Sequence, residues 1–141
     1  MLNKFIWLLA ATAVAAVTPF ITQAQQSEPK AAYQMPHASK ALLTDVVKVN
    51  GQLLVAVGER GHILLSQDGQ SWTQAQVPVQ SNLSSVYFIN PQQGWAVGHD
   101  ATILVTADGG VSWQLQHYSP ETDKPLFDIY FADAQKGIAV G

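Results

Sequence analysis

Two aspartates forty positions apart, Asp68 and Asp108, are the side chains whose setting most suggests chemistry. Together they would make a two-carboxylate site. Each, however, stands inside a version of one motif: Ser66-Gln67-Asp68-Gly69-Gln70-Ser71-Trp72 and Thr106-Ala107-Asp108-Gly109-Gly110-Val111-Ser112-Trp113. A short acidic side chain in such a run accepts hydrogen bonds from the turn's own N–H groups. Gly69, or Gly109 with Gly110, supplies the positive φ that a tight turn needs. The tryptophan then anchors the returning strand. Equivalent turns on different units place the two carboxylates apart on an outer rim, so turn capping is the expected role. Neither loop has the several acidic ligands that calcium usually takes.

Three histidines, His62, His99 and His117, with Asp100, raise the question of a metal site. They do not align between the repeats, and none has a partner at helical or zinc-ribbon spacing. Solvated or hydrogen-bonded histidines are the expectation. Trp72, Trp95 and Trp113 could stack on sugar rings, but they recur with the repeat, which makes them core packing first. Arg60 is the single arginine, and there is no cysteine. No phosphate-cradling loop or Ser-His-Asp set is visible, so the sequence predicts no catalytic residue, no cofactor and no metal.

The elements that must carry these residues repeat. Leu54-Val55-Ala56-Val57-Gly58 and His62-Ile63-Leu64-Leu65-Ser66 precede the first aspartate turn. Trp95-Ala96-Val97-Gly98 and Thr102-Ile103-Leu104-Val105-Thr106 precede the second, forty positions later. A third unit opens at Phe127-Asp128-Ile129-Tyr130-Phe131 and reaches Gly137-Ile138-Ala139-Val140-Gly141. A period of about forty with short apolar runs is that of a four-stranded propeller blade. The fold class is therefore all-β, antiparallel propeller blades with aspartate-turn hairpins, incomplete in this chain.

In the first blade, strands are predicted over 43–49, 53–58, 62–66 and 72–76, with Asn50-Gly51 as the first hairpin turn. Blade 1 covers 42–79, blade 2 covers 80–120, and 121–141 begins a third. A closed propeller needs at least about four blades, so the expectation is the N-terminal part of a longer protein. Gly58-Glu59-Arg60-Gly61 aligns with Gly98-His99-Asp100-Ala101: one frame, different side chains. Arg60, His99 and Asp100 are accordingly the candidate partner contacts.

Ahead of the blades, Lys4, the uncharged apolar run 5–17 and Thr22-Gln23-Ala24 read as a signal peptide over 1–24. No cysteine follows to carry a lipid. Residues 25–41 are polar, hold Pro29 and Pro36, and read as a flexible leader, with docking on the first blade as the alternative. Loss of Lys4 leaves six basic against ten acidic side chains, which with one arginine argues against nucleic acid.

Thr106-x-Asp108-x-Gly110-x-x-Trp113 resembles the Asp-box, or BNR repeat, of sialidases and many unrelated propellers. The longer pattern, Val86-Tyr87-Phe88, then Gly94-Trp95-Ala96-Val97-Gly98, Ile103-Leu104 and the Asp-box, is similar to the photosystem II assembly and stability factor family, over roughly 42–141. That resemblance implies a non-catalytic exported scaffold that helps assemble or stabilise a membrane protein complex, met from the periplasmic or lumenal side. Photosynthetic members meet a reaction-centre subunit through an arginine-rich face, and this chain offers only Arg60. In non-photosynthetic bacteria the resemblance implies a periplasmic partner such as a transporter. The rival readings are a sialidase-like glycan hydrolase, or a carbohydrate-binding module, with its active residues elsewhere. A sialidase would need several arginines and a Tyr and Glu pair.

Overall fold

The structure is a computed structural model that describes residues 28–141. The expected signal peptide, 1–24, lies outside the described residues. Ten strands follow in order: β1 (Leu43–Asn50), β2 (Leu53–Gly58), β3 (Ile63–Ser66), β4 (Thr73–Gln74), β5 (Leu83–Phe88), β6 (Gly94–Gly98), β7 (Ile103–Thr106), β8 (Gln114–His117), β9 (Asp128–Asp133) and β10 (Lys136–Val140). They form two four-stranded antiparallel sheets, β1-β2-β3-β4 and β5-β6-β7-β8, and a two-stranded hairpin of β9 and β10. Four-stranded antiparallel sheets are the all-β class that the forty-residue period predicts. No helix among the described residues is long and apolar enough to cross a membrane.

Register explains how the blades stack. Val86, Ala96 and Leu104 pair across β5, β6 and β7, so they share one face, while Tyr87, Trp95 and Val105 share the other. The first face meets Val47, Val55 and Leu65 of blade 1, and Trp113 joins that cluster. The second face meets Ile129, Phe131 and Ala139 of the third hairpin, where Trp95 stacks on Phe131 with ring centroids 3.5 Å apart. A central strand apolar on both sides is what two covered faces require. Val55, Val57, Ala96 and Val97 in β2 and β6 are accordingly buried.

The glycine that closes β2 and β6 has a packing cause. Gly58 sits in extended backbone, so φ does not demand glycine there. A Cβ at Gly58 would run into the Leu42 carbonyl, and one at Gly98 into the Asn82 carbonyl. Gly141 stands against the Pro125 carbonyl in the same way. Each blade brings its incoming connection across the end of its second strand, and only hydrogen fits between.

Three local expectations are corrected. The first hairpin turns on Gly51 and Gln52, with Asn50 paired to Leu53, because Gly51 takes the positive φ (60°) at the first central position. The fourth strand of blade 1 is two residues long rather than five. Ala75 still donates to the Ile63 carbonyl (2.8 Å), but Gln76 turns to bridge Ser112 of blade 2. The described part of the leader, 28–41, expected to be flexible, takes the alternative form and is bonded to blade 1. Ala32 N–H donates to the Val77 carbonyl (2.9 Å), and Gln34 Nε2 to the Ala75 carbonyl (3.1 Å). Gln74 and Gln80 donate back to the Tyr33 and Ala31 carbonyls, both at 2.8 Å.

The innermost strands are joined by side chains at equivalent positions. Asp45, Ser85 and Asp128 each stand opposite the last valine of the second strand: Val57, Val97 and Val140. The Ser85 hydroxyl lies 3.1 Å from Asp45 Oδ2 and 3.0 Å from Asp128 Oδ1. Asp45 Oδ2 also accepts the Val86 N–H at 2.9 Å, which ties blade 1 to blade 2.

Candidate functional site

The antiparallel strand order puts the candidate residues on two opposite faces. The β2–β3 and β6–β7 turns, with Arg60, His99 and Asp100, emerge on one face. The β1–β2 turn and both Asp-box turns emerge on the other.

On the first face the two aligned turns share backbone geometry. Arg60 and Asp100 both adopt left-handed φ, 56° and 58°, followed by Gly61 at 71° and Ala101 at 49°. Gly58 N–H donates to the His62 carbonyl, as Gly98 N–H does to that of Thr102. Arg60 and His99 are exposed. Asp100 is held differently: its Oδ2 accepts the Ser81 hydroxyl at 2.6 Å, so its carboxylate is half-buried. The turns thus present one cation and one imidazole outward, with one carboxylate tied back.

His62 and Thr102 occupy matching places just after these turns, and both are buried. Among the described residues, neither ring nitrogen of His62, 2% exposed, has a hydrogen-bond partner, and neither does Thr102 Oγ1. Burial pushes the His62 pKa down; Glu59 works against that and Arg60 with it. The sequence offered no sign of this, since histidine is as common at surfaces as in cores. Among the described residues, no group of three or more His, Cys, Asp or Glu side chains is arranged to hold a metal ion.

On the second face each Asp-box aspartate closes its own turn. Asp68 Oδ1 accepts the Ser66 hydroxyl (3.0 Å), Gln70 N–H (2.8 Å) and Ser71 N–H (2.7 Å). The Ser71 and Gln70 amides and the Ser66 hydroxyl hold its pKa down to about 2. Asp108 Oδ1 accepts the Thr106 hydroxyl (2.8 Å) and Ser112 N–H (3.0 Å). Burial works against its ionisation, but the Ser112 and Thr106 hydroxyls with the Ser112 and Val111 amides outweigh that and lower its pKa. Gly69, Gly109 and Gly110 have φ of 73°, 78° and 93°, the positive values that the motif predicts.

Separate blades predict that Asp68 and Asp108 stand apart; instead both line one groove of about 620 Å³ between blades 1 and 2. They share it because Gln76 and Ser112 draw the two turns together. Each carboxylate takes its hydrogen bonds from within its own turn.

The tryptophans do not build a common platform. Trp113 is buried, donates Nε1–H to the Gly110 carbonyl at 3.0 Å, and meets Phe88 edge-on at 6.0 Å. Trp95 is buried against Phe131. Trp72 is half-buried on the outer side of blade 1, beside Val46 and Ala56.

Residues 64–141 match the family model described as "Photosynthesis system II assembly factor YCF48". The "Photosystem II assembly protein Ycf48" of Synechococcus sp. (strain JA-3-3Ab) is 41% identical over 67 residues, 45% of this chain and 20% of that protein. The "Photosystem II stability/assembly factor HCF136, chloroplastic" of Arabidopsis thaliana is 27% identical over 120 residues, 81% of this chain and 30% of that protein. A "Photosystem II assembly lipoprotein Ycf48" of Trichormus variabilis is 38% identical over 58 residues, 40% of this chain and 17% of that protein. The matches thus span a third or less of these relatives' own length. A solved structure described as "YCF48 bound to D1 peptide" shares the fold at a TM-score of 0.62 and 23% identity, covering 79% of this chain and 37% of that one. Asp-box hairpins, glycine-closed second strands and tryptophan-packed blades recur together across the matched region, and the chain belongs to the photosystem II assembly factor YCF48 family.

Proposed function

We propose that this chain is part of an exported, non-catalytic propeller scaffold that binds a membrane protein complex and assists its assembly or stability. The observation that carries the reading is the pair of aligned turns: one backbone frame, held in the same left-handed conformation, displays different exposed side chains from blade to blade. A rigid frame with variable turns is how repeat proteins build binding faces. Family membership supports the role, since relatives are named as photosystem II assembly proteins and one solved relative is described with a D1 peptide bound.

Arg60 and His99 are the proposed contacts, with Asp100 shaping the turn beside them. The partner meets this face from the periplasmic or lumenal side; the apolar N-terminal run and the lipoprotein names of some relatives support export. The scattered tryptophans and the turn-bound aspartates argue against the hydrolase and the sugar-binding module.

The test is affinity capture from detergent-solubilised membranes with the tagged protein, wild type beside an Arg60→Glu, His99→Glu double variant. Recovery of a membrane complex by the wild type and its loss with the variant is the expected result. Recovery of no membrane component, or equal recovery by both, overturns the reading.

A further inference from the structure

The groove between the Asp-box turns lies on the face opposite Arg60 and His99, and the function proposed above makes no use of it. Leu53, Leu65, Ala75 and Val111 give it apolar walls, and Asp68 and Asp108 give it two negative charges. Among the described residues, no lysine or arginine lines it. The Ser66 hydroxyl and the Gln70 and Ser71 amides all bond Asp68 through Oδ1. Exposed carboxylates held ionised well into acid keep this charge at any ordinary pH.

Val111 is the telling residue. The second Asp-box turn is one residue longer than the first; Gly69 and Gly110 N–H each donate to the turn's leading hydroxyl, so the extra position is Gly109 and Val111 stands where the first turn has the polar Gln70. The turn's hydrogen bonds are made by Thr106, Asp108 and Ser112, so the Val111 side chain contributes nothing to it. It stands 60% exposed on the groove wall, while its carbonyl accepts Gln76 N–H at 3.3 Å and holds the turn against blade 1. An apolar group set in water beside two fixed anions matches a ligand with an apolar side chain flanked by cations.

We propose that this groove is a docking site for an extended polypeptide segment of basic and apolar residues, with an apolar side chain against Val111 and Leu65 and lysine or arginine groups at Asp68 and Asp108. Charge complementarity selects the cation, and the open shape between two blades suits an extended chain rather than an enclosed small molecule. The proposal stands independently of whether Arg60 and His99 meet a membrane complex.

The probe is a short fluorescein-labelled peptide of lysine and valine, with a glutamate-for-lysine counterpart as control, titrated into the full chain and followed by anisotropy. The basic peptide binds, the acidic one does not, and added salt weakens binding by screening the two exposed carboxylates. Val111→Ser removes the apolar wall, and Gln67→Lys, at an exposed lining position outside the turn's hydrogen bonds, places a cation in the groove. Each weakens binding by about tenfold, with the fold verified by circular dichroism. Absence of binding, equal binding of the acidic peptide, or an unchanged affinity in both variants overturns the proposal. Failure to capture a membrane complex through Arg60 and His99 leaves it untouched.

Discussion

Gly98 and Gly51 separate two reasons for glycine, and substituting each by alanine tests them. Gly98 ends β6 where a Cβ would collide with the Asn82 carbonyl and come within 2.7 Å of Leu83 Cα, both backbone atoms of a strand entry that cannot swing aside. Relief requires moving Asn82, whose carbonyl accepts His99 N–H at 2.8 Å, so the overpacking cost is joined by a weakened turn bond. Overpacking against backbone costs about 3 kcal/mol and a lost hydrogen bond about 1 kcal/mol, giving about 4 kcal/mol for Gly98→Ala. Among the described residues no atom lies within 4 Å of where a Gly51 Cβ would stand, and its φ of 60° is the obstacle there. Placing alanine in left-handed backbone costs about 1 kcal/mol. Thermal and urea unfolding followed by circular dichroism measure both. At about 4–8 °C per kcal/mol for a domain of this size, Gly98→Ala lowers Tm by about 15 °C or more and Gly51→Ala by less than about 8 °C. A Gly98→Ala protein as stable as Gly51→Ala would refute the close-approach account of the recurring glycine.

His62 makes stability pH-dependent: its folded pKa lies below the ordinary value of 6.5, so the fold favours the neutral ring. Its contribution is present above that value and is lost as pH falls below it, with a slope of at most about 1.4 kcal/mol per pH unit. Urea midpoints across this range detect the loss, and His62→Leu flattens it. At the second Asp-box, Asp108→Asn keeps an Oδ1 acceptor for the Thr106 hydroxyl and Ser112 amide and costs less than about 0.5 kcal/mol, whereas Asp108→Ala costs about 1–2 kcal/mol by urea unfolding. Trp113→Phe loses the bond to the Gly110 carbonyl and costs about 1 kcal/mol, against about 3–5 kcal/mol for Trp113→Ala. Ala32→Pro deletes the N–H that holds the leader to Val77, so trypsin cuts after Lys30 and Lys40 faster than in the wild type while the blades stay folded.

What the sequence made legible was local and repeated. Aspartate two residues after a hydroxyl, glycine at the positive-φ places and tryptophan beyond them encode a turn in seven or eight residues, and the period then orders the blades. The recurring glycine of Gly58 and Gly98 was visible as a pattern, but its cause was not, because the Leu42 and Asn82 carbonyls meet it only after the chain has folded back. The same holds for β4: Gln76 looks like strand until Ser112 of the next blade claims it. The leader's seat depends on backbone groups and glutamines, which carry no apolar period to read. The common groove of Asp68 and Asp108 was hidden for the most basic reason, since spacing along a chain does not give the distance between neighbouring blades.

The serine on the innermost strand of blade 2 has one proton and two claimants, Asp45 on one side and Asp128 on the other. A hydroxyl donates once at a time, so rotation about its C–O bond passes the link from the first blade to the third with no change in bond count. A small sliding of one blade against its neighbour therefore need not break the connection; it transfers it. The three inner strands thus meet at one hydroxyl that has an acceptor on either side.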